Sequence, residues 1–149
     1  MTSNARRAAV LEEVLRAALQ GDQRALTRLC TDDVKAWTPD RATSSRDELV
    51  EELGRREQAF SSADAEVVPL DVGGDFACAE WTVTLTHTGK FELADGNVIE
   101  PTGARVTVHG ATVAEFSGEQ VCALRQYWDE LGALEQIAAA APPPPEGPA

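Results

Sequence analysis

Three short stretches, Thr86-His87-Thr88-Gly89, Pro101-Thr102-Gly103 and Arg125-Gln126-Tyr127-Trp128-Asp129, hold the side chains best suited to chemistry. They scatter a histidine, an arginine, a tyrosine, a tryptophan and an aspartate through otherwise strand-like sequence. Such groups are costly inside a sheet unless they face water, find partners or line a ligand site. The reading that accommodates them together is a compact domain with a small-molecule pocket. Any chemistry would use a positioned carboxylate or imidazole, because no serine sits in a G-x-S-x-G elbow.

Strand alternation assigns these groups to faces. In Glu80 to Thr88, Trp81, Val83, Leu85 and His87 share one parity and the threonines share the other. His87 therefore ends an apolar stripe. An imidazole there either satisfies a backbone carbonyl at the sheet edge or acts as a rim donor or proton carrier. On the last strand Val121, Ala123, Arg125, Tyr127 and Asp129 share one parity, and Cys122, Leu124, Gln126 and Trp128 the other. If the first set faces a cavity, Arg125 and Asp129 stand roughly 13 Å apart along one wall, with Tyr127 between them. The alternative is a solvated outer face. Arg105 and His109 lie on a strand with no cleanly apolar side, and Gly110 is a candidate bulge that would reverse sidedness beyond it.

Composition excludes several partners. Twenty-five acidic against 13 basic residues give the 149-residue chain a formal charge of -12. Such a surface repels nucleic-acid phosphates and anionic lipid heads. No run of roughly 20 apolar residues could span a membrane. Arg6-Arg7 precede an apolar run that Glu12, Glu13 and Arg16 interrupt, so the expectation is a cytoplasmic protein. Cys30, Cys78 and Cys122 are widely spaced and read as small core hydrophobes, with one disulfide left open. With only two histidines and no cysteine at a ligand interval from either, no metal is expected.

The elements that must position these groups follow from changes of period. Residues 5–19 carry an apolar stripe at helical spacing. Gly21 breaks it, and Asp22 can cap a second short helix through Leu26 and Leu29. Val34 to Thr38 reads as a strand stopped by Pro39-Asp40. Ser45, with Glu48 three residues on, forms a capping box for a helix over 46–60. Leu49, Val50 and Leu53 face inward there, and the charges between them, Arg55-Arg56 included, read as a solvated face. Strands are predicted over 67–72, 76–86, 105–116 and 121–128, joined by turns at Gly73-Gly74-Asp75, Ala94-Asp95-Gly96-Asn97 and Ser117-Gly118-Glu119. A last helix spans 131–141. Residues 1–141 form a single domain and 142–149 an extended proline-rich tail. Helices followed by an antiparallel meander predict an α+β domain with helices packed on a strongly curved sheet.

These pieces, in this order, resemble the superfamily named after nuclear transport factor 2 (NTF2-like), and within it the SnoaL-like polyketide cyclase or ester cyclase group. The resemblance runs from the paired N-terminal helices to Gln136. It rests on Thr86-His87-Thr88-Gly89, Pro101-Thr102-Gly103-Ala104-Arg105-Val106, Gly110-Ala111-Thr112-Val113, Gly118-Glu119-Gln120-Val121, Arg125-Gln126-Tyr127-Trp128-Asp129 and Leu134-Glu135-Gln136-Ile137. It implies a cone, a curved mixed or antiparallel sheet around an interior pocket closed by the N-terminal helices. It further implies an intramolecular aldol closure needing neither metal nor organic cofactor, and a homodimer through an exposed sheet face. The acid/base residue of such cyclases corresponds to Asp129, with His109 or His87 as a donor to the enolate. Trp37, Trp81 and Tyr127 would shape the cavity for an apolar or polycyclic metabolite, with Asp40 and Arg125 as further polar contacts. The histidine common on the first strand of the family is replaced here by Ala36-Trp37-Thr38-Pro39-Asp40, in which Asp40 offers a substitute polar contact. Two function classes follow: a cofactor-independent cyclase, isomerase or epoxide-opening enzyme, or a noncatalytic small-molecule binder.

Overall fold

A computed structural model describes residues 3–70, 73–93 and 95–140. The proline-rich tail and the turn residue Ala94 lie outside the described residues. Helix α1 (Ser3–Gln20) buries Leu11, Val14, Leu15 and Ala17. It stops at Gly21, whose φ of 65° suits glycine. The Asp22 side chain then accepts from the Ala25 amide at 3.1 Å and starts α2 (Gln23–Leu29). Strand β1 (Cys30–Trp37) and the short β2 (Ala42–Thr43) lead into α3 (Arg46–Ala59). Ser45 Oγ accepts from the Glu48 amide at 3.2 Å, and the Glu48 carboxylate accepts from the Ser44 amide at 2.9 Å. The reciprocal half of the capping box is thus displaced by one residue.

The rest of the chain is mostly sheet. It comprises β3 (Phe60–Leu70), β4 (Phe76–His87), β5 (Phe91–Glu92), β6 (Val98–Ile99), β7 (Arg105–Ser117) and β8 (Gln120–Trp128), closed by α4 (Glu130–Ala140). Six strands run in the order β2-β1-β8-β7-β4-β3, and β5 and β6 form a separate small hairpin. The sheet is mixed, because β1 lies parallel to β8 while its other neighbours pair antiparallel. Strand β3 begins at Phe60, seven residues before its apolar part. Its polar first half has little strand propensity of its own, and pairing with residues 82–87 of β4 extends it.

Register fixes the inner face of the cone. Three rows cross it: Trp81↔Gly110↔Trp128, then Ala79↔Thr112↔Gln126, then Ala77↔Ala114↔Leu124. Gly110 pairs regularly and makes no bulge; the register shifts instead between Glu115 and Phe116. A Cβ at 110 would come within 2.4 Å of the Trp81 ring, so glycine is what lets that indole lie against β7. One core cluster joins α1, α2 and α3 to the sheet through residues such as Leu11, Leu26, Leu49 and Leu124. A second joins α4 to β7 through Ala104, Val106 and Ile137. Cys30 belongs to the first, and burial, partly offset by Arg46, pushes its thiol up to about 11. The architecture is that of an NTF2-like cone, as the resemblance implies. No helix among the described residues is long and apolar enough to cross a membrane.

Candidate functional site

Between the two core clusters the interior does not close. A cavity of about 160 Å³ remains, walled by Leu15 and Leu53 from one cluster and Val106, Val108 and Ile137 from the other. Trp81, Val83 and Leu85 of β4 line it as their parity predicts. Five polar side chains reach the wall: Asp40, Arg56, Glu57, Gln126 and Glu130.

Asp40 is set by the tight link between β1 and β2. Thr38 Oγ1 donates to the Arg41 carbonyl at 3.0 Å and accepts from the Arg41 and Asp40 amides. This turn aims the Asp40 carboxylate inward, leaving its side chain 6 % exposed. Oδ2 accepts from Arg55 Nη2 at 2.5 Å, while Oδ1 has no hydrogen-bond partner among the described residues. Arg55 also grips Glu52 through two nitrogens, at 2.6 and 3.1 Å, and donates Nη1 to the Glu92 carbonyl. Its guanidinium lies over Phe91, fastening the β5 strand to the cluster. Arg56 donates to Thr38 Oγ1 at 3.0 Å and stands 4.7 Å over the Trp128 ring. Trp128 Nε1 donates in turn to Glu130 Oε2 at 2.6 Å.

Glu52 is the centre of this network. Arg41 and Arg56 approach its oxygens at 3.5 and 3.6 Å in addition to the Arg55 clamp. Burial pushes its carboxyl upward, but the hydrogen bond and charge of Arg55, with the charges of Arg56 and Arg41, outweigh this and bring it below 4.5. The Glu52 bond raises Arg55 above its ordinary value despite burial. Burial lowers Arg56, against the charges of Glu52, Asp40 and Glu130. Arg55-Arg56 are therefore not a solvated face. The signal was the Glu52, Arg55, Arg56 spacing, which stacks three charges on one side of α3.

On the last strand the structure reverses the expected sidedness. Leu124, Gln126 and Trp128 face inward, because Leu124 is needed in the first core cluster. Arg125 and Tyr127 therefore project outward. Arg125 lies 3.6 Å from Glu115, and Tyr127, 47 % exposed, packs at a tilt against Trp37, itself 44 % exposed, with ring centroids 5.2 Å apart. Neither Trp37 nor Tyr127 shapes the cavity. His109 is also exposed on the outer face, with Nδ1 3.0 Å from Thr82 Oγ1.

Asp129 is exposed and is not on the cavity wall. Its Oδ1 accepts from the Gly132 amide at 2.9 Å and its carbonyl from the Ala133 amide at 3.1 Å, the bonds of a helix N-cap on α4. A Cβ at Gly132 would come within 2.4 Å of that carboxylate, so the glycine makes room for the cap. Asp129→Ala is expected to lower unfolding stability by about 1 kcal/mol, and Asp129→Asn to leave it nearly unchanged, since asparagine caps equally well. Urea unfolding of the two variants measures the difference.

His87 is completely buried but off the cavity wall. Nδ1 accepts from the Thr102 amide at 3.3 Å and lies 3.0 Å from Thr102 Oγ1; the ring tilts against Phe60, which does line the cavity. Nε2 has no partner among the described residues. Burial is the largest influence on its pKa and lowers it below 6.5. The unfolded chain then takes up a proton near pH 6.5 that the folded chain accepts only at lower pH, so stability is expected to fall as pH drops through 6.5. Urea midpoints from pH 7.5 to 5 should show this slope, and His87→Phe should flatten it.

Comparison with known proteins places this geometry. The family model described as a SnoaL-like domain matches residues 11–124. No curated protein matches the sequence. Among solved structures, AclR, a proposed hydroxylase from Streptomyces galilaeus, is 25% identical, with a TM-score of 0.74 and 92% of this chain and 98% of that one covered. A proposed polyketide cyclase from Xanthomonas campestris pv. campestris is 16% identical, with a TM-score of 0.76 and 91% and 99% covered. An LEH-like epoxide hydrolase of M. tuberculosis is 14% identical, with a TM-score of 0.70 and 93% and 94% covered. With the family model spanning 114 of 149 residues (11 to 124), and the cone and its cavity in place, the chain belongs to the SnoaL-like family.

Proposed function

We propose that the cone binds a small, largely apolar ring metabolite and that Asp40 moves a proton from a carbon beside its carbonyl. That is the first step of a cofactor-independent aldol cyclase or isomerase. The observation that carries this reading is the Asp40 carboxylate on the cavity wall, held through Oδ2 and unpartnered at Oδ1. Oδ1 takes the proton, the electron pair moves onto the carbonyl oxygen, and Arg56 on the same wall stabilises the resulting enolate. In a cyclase the enolate carbon then forms a bond to a second carbonyl carbon of the substrate, and the new alkoxide recovers the proton from Asp40. In an isomerase the proton returns at another carbon. The role assigned to Asp129 by resemblance thus passes to Asp40.

The polyketide-cyclase names among the similar folds agree with this chemistry, and the family resemblance supports a homodimer. The outer sheet face around Trp37 and Tyr127 supplies an exposed aromatic contact for a second copy of the chain. One observation favours a noncatalytic carrier instead. The cavity walls contributed by β4 and β7 are Trp81, Val83, Leu85, Val106 and Val108, which offer no proton-transfer group.

Proton exchange separates the two readings without the natural substrate. 2-Tetralone is a two-ring ketone whose acidic carbon-bound protons exchange in D2O, and NMR follows their loss. The enzyme reading expects wild-type protein to accelerate exchange well above buffer. Saturable binding of the ketone, seen as quenching of the cavity tryptophans, with exchange at the buffer rate would instead establish the carrier.

A further inference from the structure

Two polar groups on the cavity wall, Glu57 and Gln126, are used by neither the fold nor the proton-transfer reading, and of these Glu57 is exposed while Gln126 is buried. It is 7 % exposed and on the cavity wall. Its amide oxygen and nitrogen have no hydrogen-bond partner among the described residues, and both open onto the cavity rather than being sealed in the wall. An uncommitted amide in an apolar wall is unfavourable, and buried side-chain amides are ordinarily paired. Its neighbours are already committed. Trp81 Nε1 donates to Thr112 Oγ1 at 2.9 Å, and Trp128 Nε1 to Glu130. Leucine or methionine would fill the same position without leaving polar atoms unpaired.

The register says which part of a ligand Gln126 meets. Its row, Ala79↔Thr112↔Gln126, lies one step from the tryptophan row toward the core formed with α1. Asp40, Arg56 and Glu130 gather beside Trp128, and Gln126, in the next row, is the neutral amide on the cavity wall. A primary amide presents a donor and an acceptor side by side.

We propose that Gln126 is a specificity-determining residue that binds a neutral donor–acceptor edge on an otherwise apolar ring, such as a lactam or a hydroxyl beside a carbonyl. The inference rests on the cone being a ligand site and does not depend on Asp40 acting as a base. The acceptor of the ligand takes an amide N–H, and its donor bonds the amide oxygen. Trp81 and Trp128 supply the flat apolar surface beside it, 6.2 Å apart between ring centroids.

The test uses two probes of the same shape. 2-Quinolinone carries adjacent N–H and C=O groups, and naphthalene carries neither. Quenching of the cavity tryptophans reports binding of both to the full chain. Gln126→Leu is expected to weaken 2-quinolinone roughly tenfold to a hundredfold and to leave naphthalene unchanged or tighter. Without ligand, the same substitution is expected to leave the urea midpoint unchanged or higher, which a structural glutamine would not allow. Gln126→Met repeats both measurements with a side chain of nearly the same length, should leucine disturb the fold. If both probes bind but the variants weaken them equally, or weaken neither, the role of Gln126 is wrong and the cavity remains a ligand site. If neither probe binds the wild-type protein, the ligand-site reading fails and this inference fails with it.

Discussion

Asp40→Asn is expected to slow 2-tetralone exchange by about 10²–10⁴-fold, the usual contribution of a positioned general base. The substitution also removes one of the two carboxylates paired with Arg55, so urea unfolding is measured beside exchange to show that the variant is folded. Asparagine keeps the shape of the side chain, and its oxygen can still accept from Arg55, which remains clamped to Glu52. The Thr38 turn uses the backbone of residue 40 and survives the change. What disappears is the ionised oxygen facing the cavity. Asp129→Asn, examined beside it, is expected to exchange at the wild-type rate, because that carboxylate caps α4 outside the cavity wall. The pair of variants therefore decides between the two aspartates. A folded Asp40→Asn protein that still exchanges at the wild-type rate would remove Asp40 from the mechanism. Loss of exchange in Asp129→Asn alone would restore the residue that family resemblance singled out.

The choice between these aspartates shows where the sequence was legible. Local chemistry was readable: Asp22 and Ser45 cap the helices they were expected to cap, and the alternation from Trp81 to Leu85 lines one wall. The cone also followed from the order of elements and the family resemblance. Sidedness on β8 did not follow. The charges Arg125 and Asp129 fall on one parity, but Val121 of that parity and Leu124 of the other both lie in the first core cluster, and the shift in register with β7 between them decides which set turns inward beyond it. That choice sends Arg125 and Tyr127 outward and brings in Gln126 and Trp128. Asp129 carries an ambiguous local signal, since an aspartate ahead of a predicted helix is equally an N-cap. The parallel pairing of β1 with β8 is a long-range contact with no local mark. It matters because it brings the Thr38–Asp40 turn next to α3, where Arg55 and Arg56 become interior charges.

Glu52→Gln is expected to lower unfolding stability by about 3–5 kcal/mol, a large part of the 5–15 kcal/mol typical of a domain. Glutamine fits the same space and retains one acceptor for Arg55, so packing is not the cause. The cause is charge: Arg41, Arg55 and Arg56 all lie within ion-pair distance of the Glu52 carboxylate, and only Asp40 would remain to pair with Arg55. Removing one member of a buried pair leaves the other desolvated and uncompensated. The same argument fixes the pH dependence. The folded Glu52 carboxyl titrates below the unfolded value of 4.5, so its contribution is complete above that pH and declines as pH falls toward the folded value. Urea unfolding at neutral pH should place the variant midpoint roughly 2 M below wild type, and the gap should narrow below pH 4.5. A gap that stays constant with pH would mean that shape rather than charge holds the cluster. Adding Arg55→Gln to Glu52→Gln should recover part of the loss, because the double variant no longer buries the cation that the single variant strands.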